Sequence, residues 1–276
     1  MTATEKPQRP PADEYVGEEM TLFEHLEELR QRIVKCALAI AIGFAIGFVF
    51  QEPVFNFLIR PYCELDPRLR AISQVFDPNR CQLIFTNVLG GFLLVLKSAA
   101  IVAVIVAAPA VCYQIWRFVS PGLRPVERRY ALPFVLMTFL LFSSGALFAY
   151  LVIPRGLEFL LGFAGPDIVS LMDANEYIGF VLKMMLGFGL SFEFPLAIAM
   201  FTMMGVLESH TLRRYRRHAI FASFVLAAVI TPTQDPFTMV VMALPLSVMY
   251  EGNILFARLV ERRRRRRASS ELALPE

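Results

Sequence analysis

Apolar and polar positions along the chain fall into two patterns. In residues 21–32, TLFEHLEELRQR, apolar side chains recur at helical spacing. Leu22, Leu26, Leu29 and Ile33 form one stripe, and Glu24, His25, Glu28, Gln31 and Arg32 form the opposite face. Thr21 with Glu24 three residues on is a capping-box start. The pattern predicts a short amphipathic helix that can lie on a membrane surface with its carboxylates in water. Beyond it the pattern changes to unbroken apolar runs near 33–50, 88–119, 131–153, 177–206, 219–230 and 237–250. Several exceed the ~18 residues that a spanning helix needs. The last two are short: twelve residues, 219–230, give about 18 Å of helix against a hydrocarbon core about 30 Å thick. Such a hairpin either spans with local thinning or snorkelling, or re-enters without crossing. The polar TPTQDP turn favours spanning, because Asp235 prefers water.

Composition agrees. Of 276 residues 56% are apolar and 18% charged, less charge than a soluble domain carries. The chain reads as an all-α polytopic membrane protein of six spans, with a disordered cytoplasmic tail (1–20), a membrane domain (21–259) and a basic cytoplasmic tail (260–276). With six spans, one side holds twenty Lys and Arg, from Lys6 to the run Arg262–Arg267. The other side holds five: Arg60, Arg68, Arg70, Arg80 and Arg155. The positive-inside rule then puts both termini in the cytoplasm. Cys63 and Cys81 share one outward loop, 52–86, where they form either a disulfide or two free thiols. Cys36 and Cys112 read as inert small hydrophobes.

Two carboxylates stand out. Glu193 lies within the fourth apolar run, two residues before Pro195, which removes a backbone donor from the Ser191 carbonyl. An acid at such depth costs at least ~2.5–3.5 kcal/mol on insertion scales. It reads either as a protonated Glu bonded inside the bundle or as a polar docking notch. Lys97 and Lys183 lie where long side chains can snorkel. Glu127, in the loop SPGLRPVERR, has Ala131 at i+4 and so no cation partner there. On an arginine-rich face it is available to a partner in trans. No histidine lies within a span, no glycine-rich phosphate loop is present, and nothing calls for a metal, a cofactor, nucleic acid or catalysis. The arginine tail could meet anionic lipid headgroups, though an orientation signal is the simpler reading. A proton-coupled transporter of small solutes, with Glu193 as carrier, is the alternative. It requires inverted repeats with broken helices in both halves, and the chain shows neither.

HLEELRQR before the first span, YQIWRFVSPGLRPVERR between the second and third, FGLSFEFP in the fourth and ITPTQDPF before the sixth resemble the TatC family. TatC is the large multispanning subunit of the twin-arginine (Tat, Sec-independent) protein translocase. The resemblance covers nearly the whole chain. It implies a concave, glove-like bundle in the bacterial cytoplasmic membrane and recognition of twin-arginine signal peptides. It also implies assembly with single-span TatA- and TatB-type partners, self-association, and export of folded proteins on the proton-motive force. By the same resemblance Glu28 and Glu127 match the acids of twin-arginine recognition, with Arg30, Gln114 and Phe118 as neighbours. Glu193 matches the intramembrane acid, and Asp235 the acid of the outer turn. The chain departs from the family pattern at Met239, where some relatives carry glutamine, and in its Cys63/Cys81 pair and arginine run. Ideal helix geometry puts Arg30 about 160° from Glu28, so the two side chains serve different contacts.

Overall fold

The computed structural model describes residues 22–65, 83–119, 131–163, 171–232 and 235–271. Glu127, Thr21 and Cys81 lie outside these residues. The described chain is predominantly helical, and among the described residues the β pairing is one isolated parallel bridge between Ile84 and Asp173.

Helix α1 (Leu22–Val49) is continuous through the amphipathic segment and the first apolar run. The separate surface helix predicted from the sequence does not form. No Gly or Pro separates Arg32 from Ile33, so nothing stops the helix at the change of pattern. A turn at Phe50 leads into α2 (Gln51–Cys63), which occupies what reads as a polar loop. Pro53 falls in its first turn, where its missing N–H costs nothing. Leu58 and Tyr62 are buried in the core. Helices α3 (Gly90–Val119), α4 (Ala131–Gly162) and α5 (Ala174–Met204) follow. A short α6 (Ser209–Arg214), α7 (Arg216–Ile230) and the long α8 (Pro236–Glu271) complete the chain.

Among the described residues, five helical segments are long and apolar enough to cross a membrane: Phe23–Val49, Gly90–Phe118, Pro133–Gly162, Ala174–Met204 and Pro236–Arg266. At 15 residues, α7 is about 22 Å long and falls short of that length, as its sequence suggested. The sixth apolar run does not. Glu251, Gly252 and Asn253 end the run in the sequence but not the helix, because Asn253 is buried with a partner and Glu251 pairs with Arg216. The basic segment after Val260 continues α8 as helix.

The main interfaces join α1 to α3, α4 to α5, and α8 to both α5 and α7. Small residues bring α1 onto α3. A Cβ added at Gly47 would lie 2.5 Å from the Ala99 carbonyl oxygen, and one at Gly43 would lie 2.9 Å from Ala103 Cα. Close backbone approach of this kind is the usual basis of helix association in lipid. The core gathers Leu58 and Tyr62 of α2, Ile153 of α4, Tyr177, Ile178 and Phe188 of α5, and Met242 of α8.

Side-chain contacts fix which helix ends lie together. At one end the start of α1 meets the end of α3, α3 meets the start of α4, and the end of α5 meets the end of α8. This is the arginine-rich end. At the opposite end, Asn175 of α5 donates to the Gly90 carbonyl at 2.7 Å, and Tyr177 donates to the Leu58 carbonyl at 2.8 Å.

Candidate functional site

At the arginine-rich end, α1 and α3 place Glu28, Arg32, His25, Gln114 and Phe118 together. Arg32 lies one turn beyond Glu28 and donates to Glu28 Oε1 through Nε at 3.1 Å and also through Nη2. Its Nη1 reaches across to Gln114 Oε1 at 3.3 Å. The Arg32 side chain is only 11% exposed and that of Glu28 21%, so water screens this pair less than a fully exposed one. Glu28 Oε2 is buried and makes no hydrogen bond; His25 Nδ1 stands 4.0 Å from it. The His25 ring stacks on Phe118 with centroids 4.5 Å apart and planes 21° apart. One carboxylate oxygen is therefore held by an internal arginine, and the other is buried without a hydrogen bond beside His25, whose ring stacks on Phe118.

Three of the residues singled out in the sequence thus converge: Glu28, Gln114 and Phe118. Arg30 does not join them. It is 77% exposed and pairs with Glu27 at 3.4 Å, on another face. Sequence reasoning missed Arg32 and His25 as site residues. The i, i+4 spacing of Glu28 and Arg32 was the available signal, since that spacing brings opposite charges into contact on a helix.

Glu193 lies midway along α5, half-buried. The Thr138 side chain and the Phe142 backbone of α4 lie against its carboxyl group, and Cys112 of α3 is within electrostatic reach. Thr138 accepts the Trp116 indole N–H at 2.7 Å, which leaves its own hydroxyl proton free to face the carboxyl. Glu193 Oε1 is buried without a hydrogen-bond partner. Pro195, one half-turn on, is buried, and its carbonyl accepts from Asn253 Nδ2 at 2.8 Å. Part of the notch expected at this kink is therefore filled by α8.

Asp235 does not reach water as its sequence context suggested. It is 7% exposed and accepts the Thr238 backbone N–H at 2.8 Å at the start of α8. Burial is possible because helix N–H groups take the place of water. Thr238 lies near Gly156 of α4, whereas Glu193 lies near Phe142. Those fourteen residues of helix put the two acids on the order of 20 Å apart. Glu193 and Pro195 lie together, and Asp235 lies apart from them.

Cys63 is disulfide-bonded, while Cys36 and Cys112 are free. No group of three or more His, Cys, Asp or Glu that could hold a metal occurs among the described residues.

The profile of the Sec-independent protein translocase protein (TatC) family matches residues 24–245. The Sec-independent protein translocase protein TatC of Frankia casuarinae is 43% identical over 251 residues, covering 91% of this chain and 69% of its own. That of Desulforapulum autotrophicum is 37% identical, covering 88% and 86%. A crystal structure of the twin-arginine translocase receptor TatC superposes with a TM-score of 0.71 at 35% identity, over 85% of this chain and 99% of that one. The fold, the order of motifs and these likenesses agree. The chain belongs to the TatC family and is a multi-pass membrane subunit of the Sec-independent protein translocase.

Proposed function

We propose that the chain is the twin-arginine signal-peptide receptor of a Tat translocase in a bacterial cytoplasmic membrane. It has six spans, including a locally thinned crossing at α7, and both termini in the cytoplasm. TatA- and TatB-type single-span proteins are its partners, and the proton-motive force drives export of folded cargo. The observation that carries this reading is Glu28 Oε2, a buried carboxylate oxygen with no hydrogen-bond partner, at the arginine-rich end beside Gln114 and the His25–Phe118 stack. A guanidinium can bridge such an oxygen and an amide in a planar fork, which an ammonium cannot.

Glu127, which lies in the sequence between α3 and α4, is the second acid of the site. Exposed ion pairs contribute only ~0.2–1 kcal/mol each. The apolar part of the signal peptide therefore supplies most of the affinity, at roughly 25 cal/mol per Å² buried. Glu193 and Pro195 form a notch within the membrane for a partner helix, with Asp235 as a separate contact of the outer turn. Cys81 is the partner of Cys63. Residues 1–20 act as a cytoplasmic tail.

The test is binding of one signal peptide in its RR and KK forms to purified protein in detergent. The parent prefers RR. Glu28→Gln and Glu127→Gln each lose that preference with abundance unchanged. RR binding as tight as the parent's in both variants overturns the site.

A further inference from the structure

We propose that an apolar groove near the arginine-rich end holds an acyl chain of an anionic phospholipid, whose headgroup is bound by the arginines of α8. The groove runs between α4, α5 and α8 and encloses about 420 Å³, within the range of ligand sites. Phe134 and Met137 form one wall, Ala199 and Met203 the second, Met249 and Phe256 the third. Asn253 carries the one polar side chain in the lining, and it is committed to the Pro195 carbonyl at 2.8 Å. The lining selects a hydrocarbon, and unbranched methionines adapt to a flexible one.

Charge identifies the occupant. Past Phe256 the same helix carries Arg262–Arg266, all exposed. Arg263, seven residues on, returns to the Phe256 face about 10 Å farther along the axis. Arg264 donates to the Met203 carbonyl, and Met203 is itself part of the groove wall. A guanidinium therefore stands at the lip of an apolar slot. A chain ending in a phosphate matches both halves, through charge-assisted bonds at one end and burial at the other.

The protein carries its own reporter. Trp116 is the single tryptophan, and its ring lies 4.8 Å from that of Phe134 in the groove wall. The full chain is reconstituted in vesicles containing phosphatidylglycerol or phosphatidylcholine with brominated acyl chains, which quench indole fluorescence at short range. Brominated phosphatidylglycerol is expected to quench Trp116 at lower mole fraction, by about fivefold for each arginine engaged. Salt narrows the difference. Arg263→Gln, on an exposed side chain, loses about fivefold of the preference, and Arg263→Lys keeps it. Ala199→Phe fills the slot and removes the added quenching. Equal quenching by the two lipids overturns the proposal, as does an unchanged preference in Arg263→Gln. Quenching that disappears as the protein-to-lipid ratio rises would give the groove to a second copy, and also overturns it. Signal-peptide binding enters none of these readouts.

Discussion

Asp173 and Glu28 are carboxylates at opposite ends of the same bundle, and they are bonded very differently. Asp173 caps α5 and is 5% exposed. It accepts from Thr86 N at 2.8 Å, Thr86 Oγ1 at 2.6 Å, Asn175 N at 2.8 Å and Glu176 N at 3.3 Å. Both oxygens are occupied, and the capped segment is bound further through Lys97 Nζ to the Asn175 carbonyl at 2.8 Å. At Glu28 one oxygen is held by a neighbour on the same helix and the other has no hydrogen bond. A saturated carboxylate fixes a structure. An unsaturated buried one carries a desolvation cost that an incoming donor can relieve. The first acid holds its end of the bundle together, and the second is the one that the proposed function gives to a ligand.

The contrast is broken most severely at the saturated end. Asp173→Ala strands the donors of Thr86, Asn175 and Glu176, and is expected to destabilise the protein by about 3 kcal/mol, read as a lowered unfolding midpoint in detergent. Glu28→Gln should leave that midpoint within ~0.5 kcal/mol while abolishing RR-over-KK preference. If the two variants show the same stability loss, the distinction between the acids fails.

Acid sharpens the contrast further. The Thr86 hydroxyl, with the backbone N–H groups around it, holds the Asp173 carboxyl below its ordinary range. In the unfolded chain it titrates near ~3.9. Its contribution to stability is therefore complete above that pH and is lost as pH falls through the lower folded value. Asp173→Asn should remove this part of the acid sensitivity, visible in midpoints measured from pH 5 downward.

Arg32→Gln frees Glu28 from its internal guanidinium. Arg32 is mostly buried and also bonds Gln114, so its removal costs more than that of an exposed i, i+4 pair, about 1–2 kcal/mol. Affinity for an RR peptide should nonetheless rise, by about fivefold for each ~1.0 kcal/mol of carboxylate interaction released to the peptide. Unchanged affinity would show that Arg32 does not compete for Glu28. The smallest effect is expected at Arg30. It is mostly exposed and pairs only with Glu27 among the described contacts, so Arg30→Gln should change stability by less than ~0.5 kcal/mol.

The sequence was legible where one rule governed. Long apolar runs gave α3, α4 and α5, because lipid leaves helix as the ready way to satisfy a backbone. It was less legible where two rules competed. The change from amphipathic to apolar at Ile33 looked like a boundary, yet backbone continuity made α1 a single helix. The charges after Tyr250 looked like the end of a span, yet Asn253 and Glu251 find partners inside the fold and α8 runs on. Within α2, Pro53 and Pro61 suppressed the helical signal of the apolar residues between them. The site followed the same division. Glu28, Gln114 and Phe118 were found by motif, but the pairing of Arg32 with Gln114 crosses 82 positions of sequence and needed the fold. Asp235 was misjudged because its solvation is supplied by the chain itself.

The unbroken course of α1 has a mechanical consequence. Twenty-eight residues make a rod about 42 Å long, touching its neighbour most closely where Gly43 and Gly47 meet α3. A rod seated on such a fulcrum turns as a whole. Displacing Glu28 by 2 Å, about 22 Å from Gly43 along the axis, swings the far tip, about 9 Å beyond Gly43, by roughly 0.8 Å the opposite way, against the turn at Phe50. A displacement at the arginine-rich end of α1 is thereby carried to its other end by the helix itself.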